Sequence, residues 1–321
     1  MELTGLTQNH LEEAGKLFLS NLEEERQAAP FLPKDAPLPD LSEFCNNGLG
    51  VALTEQGKLL GYLGCYAPWE NAFTTTAKGT FSPIHAHGAA VENREKIYAL
   101  LYQKAARLWV REGIASHSIG LFFHDRKALS SFFWNGFGLR CVDAMRPMKS
   151  LGLPVTPGYT YRELAGRERE RILPLRRGLL EHLSSSPCFM RHPPKEEEKE
   201  LRESLQGDTR IFAAFHDGKP AAFLELRGEG ENFLTEAPSV KNICGAYCLP
   251  SHRGNNVMQS LLEQVISVLG AEGYQALGVD FESFNSAGSR FWLKYFTPYT
   301  GGVVRRIDEN VFRFSPDSVI R

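Results

Sequence analysis

The spacing of apolar residues changes along the chain and predicts a succession of helices and strands. Residues 10–28 carry apolar side chains three and four positions apart, which predicts an amphipathic helix. Apolar runs at 51–53 and 59–66 flank the turn sequence Glu-Gln-Gly-Lys, so this segment predicts a β-hairpin. Further along, the pattern predicts a strand over 80–87, a helix over 94–112, a strand over 118–123 and a short helix over 126–134.

A similar order of predicted elements recurs in the second half of the chain. Helices are predicted at about 163–183 and 194–205, and a hairpin turns at Asp217-Gly218-Lys219. Equivalent landmarks recur at a separation of 160 or 161 residues: Gly57 and Gly218, Gly113 and Gly273, Asp125 and Asn285, Phe132 and Trp292. The repeat predicts two copies of one domain, at 1–150 and 159–321, joined by a linker at 151–158.

The most informative stretch runs from Leu249 to Leu262. An apolar strand from Ile243 ends there, a polar turn containing Gly254 follows, and an apolar helical pattern begins at Val257. A helix N-terminus of this kind leaves several backbone N–H groups without intrahelical partners, and these suit a phosphate or pyrophosphate. An ordinary connection between a strand and a helix is the alternative.

The order of elements around this turn carries a resemblance to a known family. Arg253 opens the turn, a helix follows, and then come Gly273-Tyr274, a strand at 276–281, and Asn285 before a short aromatic helix. This order resembles the GNAT superfamily, the N-acyltransferases that use acetyl-CoA. Their turn reads Arg/Gln-x-x-Gly-x-Gly/Ala. Arg253 matches its first position, whereas Asn256 and Met258 stand where the family has small residues.

The resemblance implies an α/β fold of two tandem GNAT-like domains, each with a mixed, mostly antiparallel twisted sheet flanked by helices. It also implies acetyl-CoA as co-substrate and an amine of a small molecule or peptide as acceptor. By position in the motif, the residues expected to hold acetyl-CoA are Tyr247, Cys248, Leu249, Arg253, Gly254, Asn255, Asn256, Val257, Met258 and Asn285.

The first copy is predicted to be degenerate. A separation of 161 places Glu92 and Glu95 where Arg253 and Asn256 stand in the second copy. Carboxylates at a helix N-terminus repel a phosphate, so we expect the cofactor in the C-terminal domain alone.

Acetyl transfer to an ammonium group requires a base, and Asp280 and Glu282 are the candidates. They alternate with apolar residues on one strand and share a face; Glu225 is a further option. The alternative for each is pairing with an arginine. Many relatives have a tyrosine acid seven residues after the asparagine, but that position is Trp292 here, and Tyr295 lies three residues further on.

Two other pairs of residues invite a chemical role. His85 and His87 alternate on a predicted strand and could act as general bases, as metal ligands or as a pair that recognises a ligand, although histidines bonded to neighbouring backbone are commoner. Cys244 and Cys248 lie about 13 Å apart on an ideal strand, which is too far for one ion, so we predict no metal.

Composition narrows the classes of function. The 321 residues carry a net charge of −2, which offers no electrostatic support for nucleic-acid or anionic-membrane binding. Six scattered cysteines and an N-terminus without a signal peptide predict a cytoplasmic protein with reduced thiols. The alternative to an enzyme is a non-catalytic ligand-binding or scaffolding protein that keeps the fold. The pattern leaves the acceptor and the oligomeric state open.

Overall fold

A computed structural model describes residues 1–314 of the chain. The chain forms two units that have a similar order of helices and strands. Unit 1 comprises Met1–Pro30, Leu38–Val142 and the chain from Pro298 onward. Unit 2 comprises Phe31–Pro37 and Asp143–Thr297.

In unit 1 the predicted helices and hairpin are present. Its elements, in chain order, are β1 (Glu2–Gly5), α1 (Leu11–Ala28), β2 (Val51–Glu55), β3 (Lys58–Leu63), β4 (Gly79–Ser82), β5 (His87–Ala89), α2 (Arg94–Arg111), β6 (Ser116–Phe122), α3 (Arg126–Trp134) and the first half of β7 (Gly138–Pro147).

The strand predicted over 80–87 is divided in two. Pro83 follows β4, and the chain turns back with a hydrogen bond from the Ala86 N–H to the Pro83 carbonyl before β5 begins. Because proline supplies no N–H to a ladder, the strand breaks there. β5 then pairs antiparallel with β3 in the order β1-β2-β3-β5, while β4 pairs parallel with β6.

Unit 2 repeats the pattern. Its elements are the second half of β7, β8 (Thr160–Leu164), α4 (Leu173–Ser184), α5 (Pro194–Glu203), β9 (Arg210–His216), β10 (Lys219–Arg227), β11 (Val240–Cys248), α6 (Val257–Ala271), β12 (Ala276–Glu282) and α7 (Ser286–Tyr295). β13 (Thr297–Arg306) and α8 (Asn310–Phe314) follow.

The sheet of unit 2 is mixed and mostly antiparallel. β8, β9, β10 and β11 pair antiparallel in sequence order, and β12 joins β11 in parallel. Apolar side chains of β9 and β10 pack with Leu164, Ile172 and Leu175 into one buried cluster. The predicted architecture of an α/β fold with two domains of this type is therefore confirmed.

Unit boundaries depart from the division expected from the sequence. β13 pairs along its length with β6, from Thr300 opposite Phe122 to Arg306 opposite Ser116, so it completes unit 1 although it follows unit 2 in the chain. The predicted linker at 151–158 docks on α6 instead of running free. There the Thr156 N–H donates to the Ser260 hydroxyl at 2.9 Å.

The two short helices α3 and α7, which follow β6 and β12, begin in the same way. The Asp125 side chain accepts the Ala128 N–H at 2.9 Å, and the Asn285 side chain accepts the Gly288 N–H at 3.3 Å. Aspartate and asparagine are favoured at this position because their oxygen satisfies an N–H that the first turn leaves free.

Candidate cofactor cleft and active site

A wedge opens between the two parallel strands of unit 2. β11 and β12 are paired from Val240 opposite Ala276 to Ile243 opposite Val279, and both strands continue beyond this register. At that point β11 also shifts its register with β10, since Glu225 faces Gly245 while Leu226 faces Ile243. The shift is a β-bulge, which bends a strand and re-aims its backbone. It begins the separation of β11 from β12.

Beyond the bulge, β11 presents a backbone edge to the wedge. The Leu249 N–H donates to the Ala221 carbonyl at 2.9 Å, on the side of β10. Backbone groups alternate along a strand, so those of Cys248 point the other way. Its carbonyl accepts the Arg253 Nε–H at 2.9 Å, and within the described chain its N–H has no acceptor.

Seven residues separate the end of β11 from Asn256, the residue before α6. Gly254 and Asn256 have φ values of 81° and 57°, the left-handed conformation that glycine and asparagine adopt most readily. Among residues 1–314, the N–H groups of 254–259 have no hydrogen-bond acceptor. Unpaired N–H donors and the positive end of the α6 dipole are the features that suit a bound anion.

A cleft of about 250 Å³ lies between the edge of β11, the connection before α6 and the first turn of α7. Every residue predicted to hold the cofactor lines it except Leu249, which packs against the apolar cluster of unit 2, and Asn255, whose carbonyl accepts the Thr156 hydroxyl. Met258 is half-buried and forms part of the wall without closing the cleft.

One wall of the cleft comes from α4, which the sequence did not indicate. Gly178 lets α4 approach β11, because a Cβ there would meet the Tyr247 ring at 2.8 Å. One turn later, His182 Nε2 lies 3.2 Å from Asn285 Oδ1. Leu179 and His182 both line the cleft. Nothing in the pattern of α4 distinguishes these residues, since their role depends on where the helix packs.

The predicted bases Asp280 and Glu282 do not line this cleft. Burial of the Asp280 carboxyl group and the nearby carboxylates of Glu231 and Asp143 raise its pKa well above the usual value. Asp280 retains exposed surface even though protein atoms surround its carboxyl group densely.

Glu225 is unsuited to act as a base. Its side chain is buried and lies 3.2 Å from Arg176 and 2.9 Å from Arg227. The structure thus realises the arginine pairing that was the alternative for this residue. Cys244 Sγ lies beside it, 3.5 Å from the Glu225 carbonyl, and burial raises the pKa of the thiol to about 12.

Trp292 and Tyr295, the two residues considered as general acids, differ in their position relative to the cleft. Trp292 lines the cleft with 6% of its surface exposed, so it contributes packing and cannot donate a phenolic proton. Tyr295 lies outside the lining, and its buried hydroxyl has no hydrogen-bond partner within residues 1–314.

In unit 1 the equivalent cleft is occupied by the protein's own side chains. Arg94, the first residue of α2, is buried and makes ion pairs with Glu24 at 2.8 Å and Asp125 at 3.0 Å. The Asn21 side chain accepts the Ala89 N–H at 3.0 Å and donates to the Ala89 carbonyl at 3.1 Å. The backbone edge and the cap of α3 are therefore both satisfied internally.

At the turn before α2, the alignment of the two copies that was made from the sequence is wrong. Asn93 has the φ of 56° that matches Asn256, yet only three residues separate it from β5. The separation of the copies is thus 163 at this point, and Glu92 and Glu95 are not the counterparts of Arg253 and Asn256. Arg94 corresponds to Val257 instead.

His85 and His87 of unit 1 do not form a pair on one strand. His87 is buried in β5, with its ring nitrogens 2.6 Å from the Gly120 carbonyl and 3.1 Å from the Tyr98 hydroxyl. His85 lies before β5, and burial, with His87 nearby, lowers its pKa to about 4.

Comparison with known proteins agrees with this geometry. Residues 178–296 match the Acetyltransferase (GNAT) family. A GCN5-related N-acetyltransferase from Sphaerobacter thermophilus superposes with a TM-score of 0.55 at 12% identity, covering 95% of each chain. The GCN5-related glucosamine N-acetyltransferase region of a fungal multi-domain β-N-acetylglucosaminidase gives 0.52 at 12% identity, over 94% of this chain and 38% of that one.

A tandem GNAT protein from the clavulanic acid biosynthesis pathway gives a TM-score of 0.47 at 15% identity, over 95% of this chain and 98% of that one. No curated protein matches the sequence. Of the helices in residues 1–314, none combines the length and apolarity needed to cross a membrane. The residues that match the model of the Acetyltransferase (GNAT) family, 178–296, are therefore the ones that form the wedge, the turn and the cleft.

Proposed function

We propose that unit 2 binds acetyl-CoA in the cleft and transfers its acetyl group to an amine of a small molecule or peptide. The observation that carries the proposal is the set of free backbone donors at the turn, continuous with the free edge of β11. The turn suits the pyrophosphate, and the edge suits the amide groups of the pantetheine arm.

The contrast between the units supports the assignment to unit 2. Asp125 of unit 1 presents an oxygen that Arg94 neutralises, whereas Asn285 presents an Nδ2 donor that has no acceptor among the described residues. Val257 in place of Arg94 leaves the space between α6 and α7 open. Unit 1 would then be a degenerate copy that does not hold the cofactor.

In the reaction, a neutral amine nitrogen attacks the thioester carbonyl. The new C–N bond forms, the C–S bond breaks, and CoA leaves as a thiolate that takes up a proton. Asp280 or Glu282 would accept the proton that the ammonium group must lose before attack. Trp292 offers no acid, so a thiolate, which is a fair leaving group, departs without direct protonation.

A non-catalytic ligand-binding protein is the second candidate. It is favoured by Trp292 at the position of the family acid and by a cleft lining that includes neither Asp280 nor Glu282. Binding without turnover would distinguish it from an enzyme.

Binding is tested by calorimetry with acetyl-CoA on the intact protein. The double variant V257R/N285D recreates in unit 2 the pair that closes unit 1, so we expect it to lose measurable binding. The single variant Asn285→Asp alters the same site without a buried arginine, so it separates an effect on binding from misfolding. Ser267→Arg, which adds the same charge on an exposed position of α6, should bind like the wild type. Wild-type binding that survives in V257R/N285D would contradict the proposed site.

Turnover is tested by following free CoA with a panel of amines. We expect Asp280→Asn or Glu282→Gln to lower kcat about 100-fold or more while the Kd for acetyl-CoA stays unchanged. Tight binding with no CoA released from any amine would support the ligand-binding candidate instead.

A further inference from the structure

We propose that His182 is a positioning residue for the pantetheine arm and acts by fixing the orientation of the Asn285 side-chain amide. The inference rests on the proposed function of the cleft. It concerns α4, a helix whose part in the cleft no motif of the turn or of α7 indicates.

The geometry around Asn285 leaves one orientation of its amide. Oδ1 accepts the Gly288 N–H at 3.3 Å and lies 3.2 Å from His182 Nε2. Because a carbonyl oxygen only accepts, His182 Nε2 carries the proton of this bond. With Oδ1 held from both sides, Nδ2 is left as the free donor.

Free donors on the wall of this cleft suit a particular ligand chemistry. Asn285 lines the cleft, and no acceptor for its Nδ2 occurs in the part of the chain described. A Cβ at Gly288 would lie 3.0 Å from Nδ2, so glycine at 288 gives the amide room to keep this orientation. The pantetheine arm carries amide carbonyls, which accept such a hydrogen bond.

The helix that supplies His182 is itself held in place. Gly178 and His182 are four residues apart and so share one face of α4, and the close approach of Gly178 to the Tyr247 ring sets the distance between α4 and β11. His182 is half-buried at the cleft wall. The side chain that orients Asn285 thus stands on a packed helix.

Unit 1 shows what the same cap does without such a histidine. Asp125 offers a second oxygen in place of Nδ2, and Arg94 binds it at 3.0 Å. A ligand carbonyl would find no donor there. Unit 2 has asparagine where unit 1 has aspartate, and a histidine lies beside it. Together these two residues leave a free donor in unit 2 where unit 1 has an ion pair.

The test uses the intact protein and calorimetry with acetyl-CoA. His182→Leu should raise the Kd about fivefold to tenfold, the effect of losing one oriented hydrogen bond, whereas His182→Gln, whose Nε2 can donate in the same place, should stay within about twofold of the wild type. In an Asn285→Ala background, His182→Leu should cost nothing further, because both residues act through one amide.

A structural role would give a different result. Adenosine 3′,5′-bisphosphate, which lacks the pantetheine arm, should bind the wild type and His182→Leu equally. If its affinity falls together with that of acetyl-CoA, or if the two substitutions are additive, the inference is overturned. It is also overturned, with the proposed function intact, if His182→Leu binds acetyl-CoA like the wild type. If the wild type itself does not bind acetyl-CoA, both fail.

Discussion

At the scale of single residues, the position of Asp280 shows how one carboxylate can serve chemistry and weaken the fold. Burial and the carboxylates of Glu231, Asp143 and Glu282 all raise its pKa. A raised pKa makes the ionised form a stronger base, but it delays ionisation to higher pH. Activity that depends on Asp280 as a base would therefore rise as the pH passes through this raised pKa, which moves the acidic limb of the pH profile to higher pH.

The same shift predicts how stability depends on pH. Because the folded pKa lies above the unfolded value of about 3.9, the stability that Asp280 contributes is complete below that pH and is lost as the pH rises through the folded pKa. Asp280→Asn stays neutral and avoids this loss. Because Asp280 is exposed, solvent weakens this effect, so we expect the melting temperature of Asp280→Asn to exceed that of the wild type by on the order of a degree at pH 8 and to equal it near pH 4.

Differential scanning calorimetry at the two pH values checks this expectation. Asp208→Asn, at an exposed position, is the matched control and should show no such difference. Equal melting temperatures for Asp280→Asn and the wild type at pH 8 would mean that the Asp280 carboxylate is not destabilised in the folded protein.

Residues also show where the sequence was sufficient. Asn256 stands where the family has a small residue, and its φ is 57°, a conformation that asparagine adopts more readily than most residues. Asp125 and Asn285 were matched at a separation of 160, and both cap the helix that follows. These features depend on neighbours within a few positions, so local pattern is enough to predict them.

At the scale of elements, the strand–turn–helix connection distinguishes the two units. Three residues join β5 to Asn93, and seven join β11 to Asn256. A constant separation of the two copies could not reveal this difference, because the four extra residues in unit 2 lie inside one connection. The correspondence of Arg94 with Val257 became visible only once both helix starts were known.

Arg94 therefore carries a prediction about unit 1. Its side chain is 5% exposed and its guanidinium pairs with two carboxylates, so Arg94→Met would remove the cation from both pairs. We expect a loss of about 3 kcal/mol in the free energy of unfolding, measured by denaturant titration, and no change in the Kd for acetyl-CoA.

Arg107→Met, on the exposed face of α2, is the control and should change stability by less than about 0.5 kcal/mol. A weaker affinity for acetyl-CoA in Arg94→Met would contradict the assignment of the cofactor to unit 2.

At the scale of the whole molecule, the last strand belongs to the first unit. β13 pairs with β6, and Val303 lies in the same buried cluster as Trp109 and Phe132. A chain cut at the predicted linker would leave unit 1 without this strand. We expect a fragment of residues 1–150 to lack the near-ultraviolet circular dichroism of packed aromatic side chains.

The full-length protein, which keeps β13, is the control. The same expectation explains why cofactor binding is best tested on intact protein with substitutions. A cooperative, native-like spectrum from residues 1–150 alone would show that β13 is dispensable for unit 1.

The sequence by itself determined most of the helices, the hairpins, the duplicated order of elements and the turn at Arg253. Each of these arises from side-chain periodicity, caps and turn residues that act over a few positions. The helix predicted over 163–183 begins later, because β8 extends to Leu164 and α4 starts at Leu173. Only the tertiary structure decided that α4 brings His182 to Asn285, 103 residues away, that Arg94 and Asn21 close the first cleft, and that β13 completes unit 1. Those contacts join residues far apart in the chain, and their geometry is set by how helices and strands pack rather than by any local pattern.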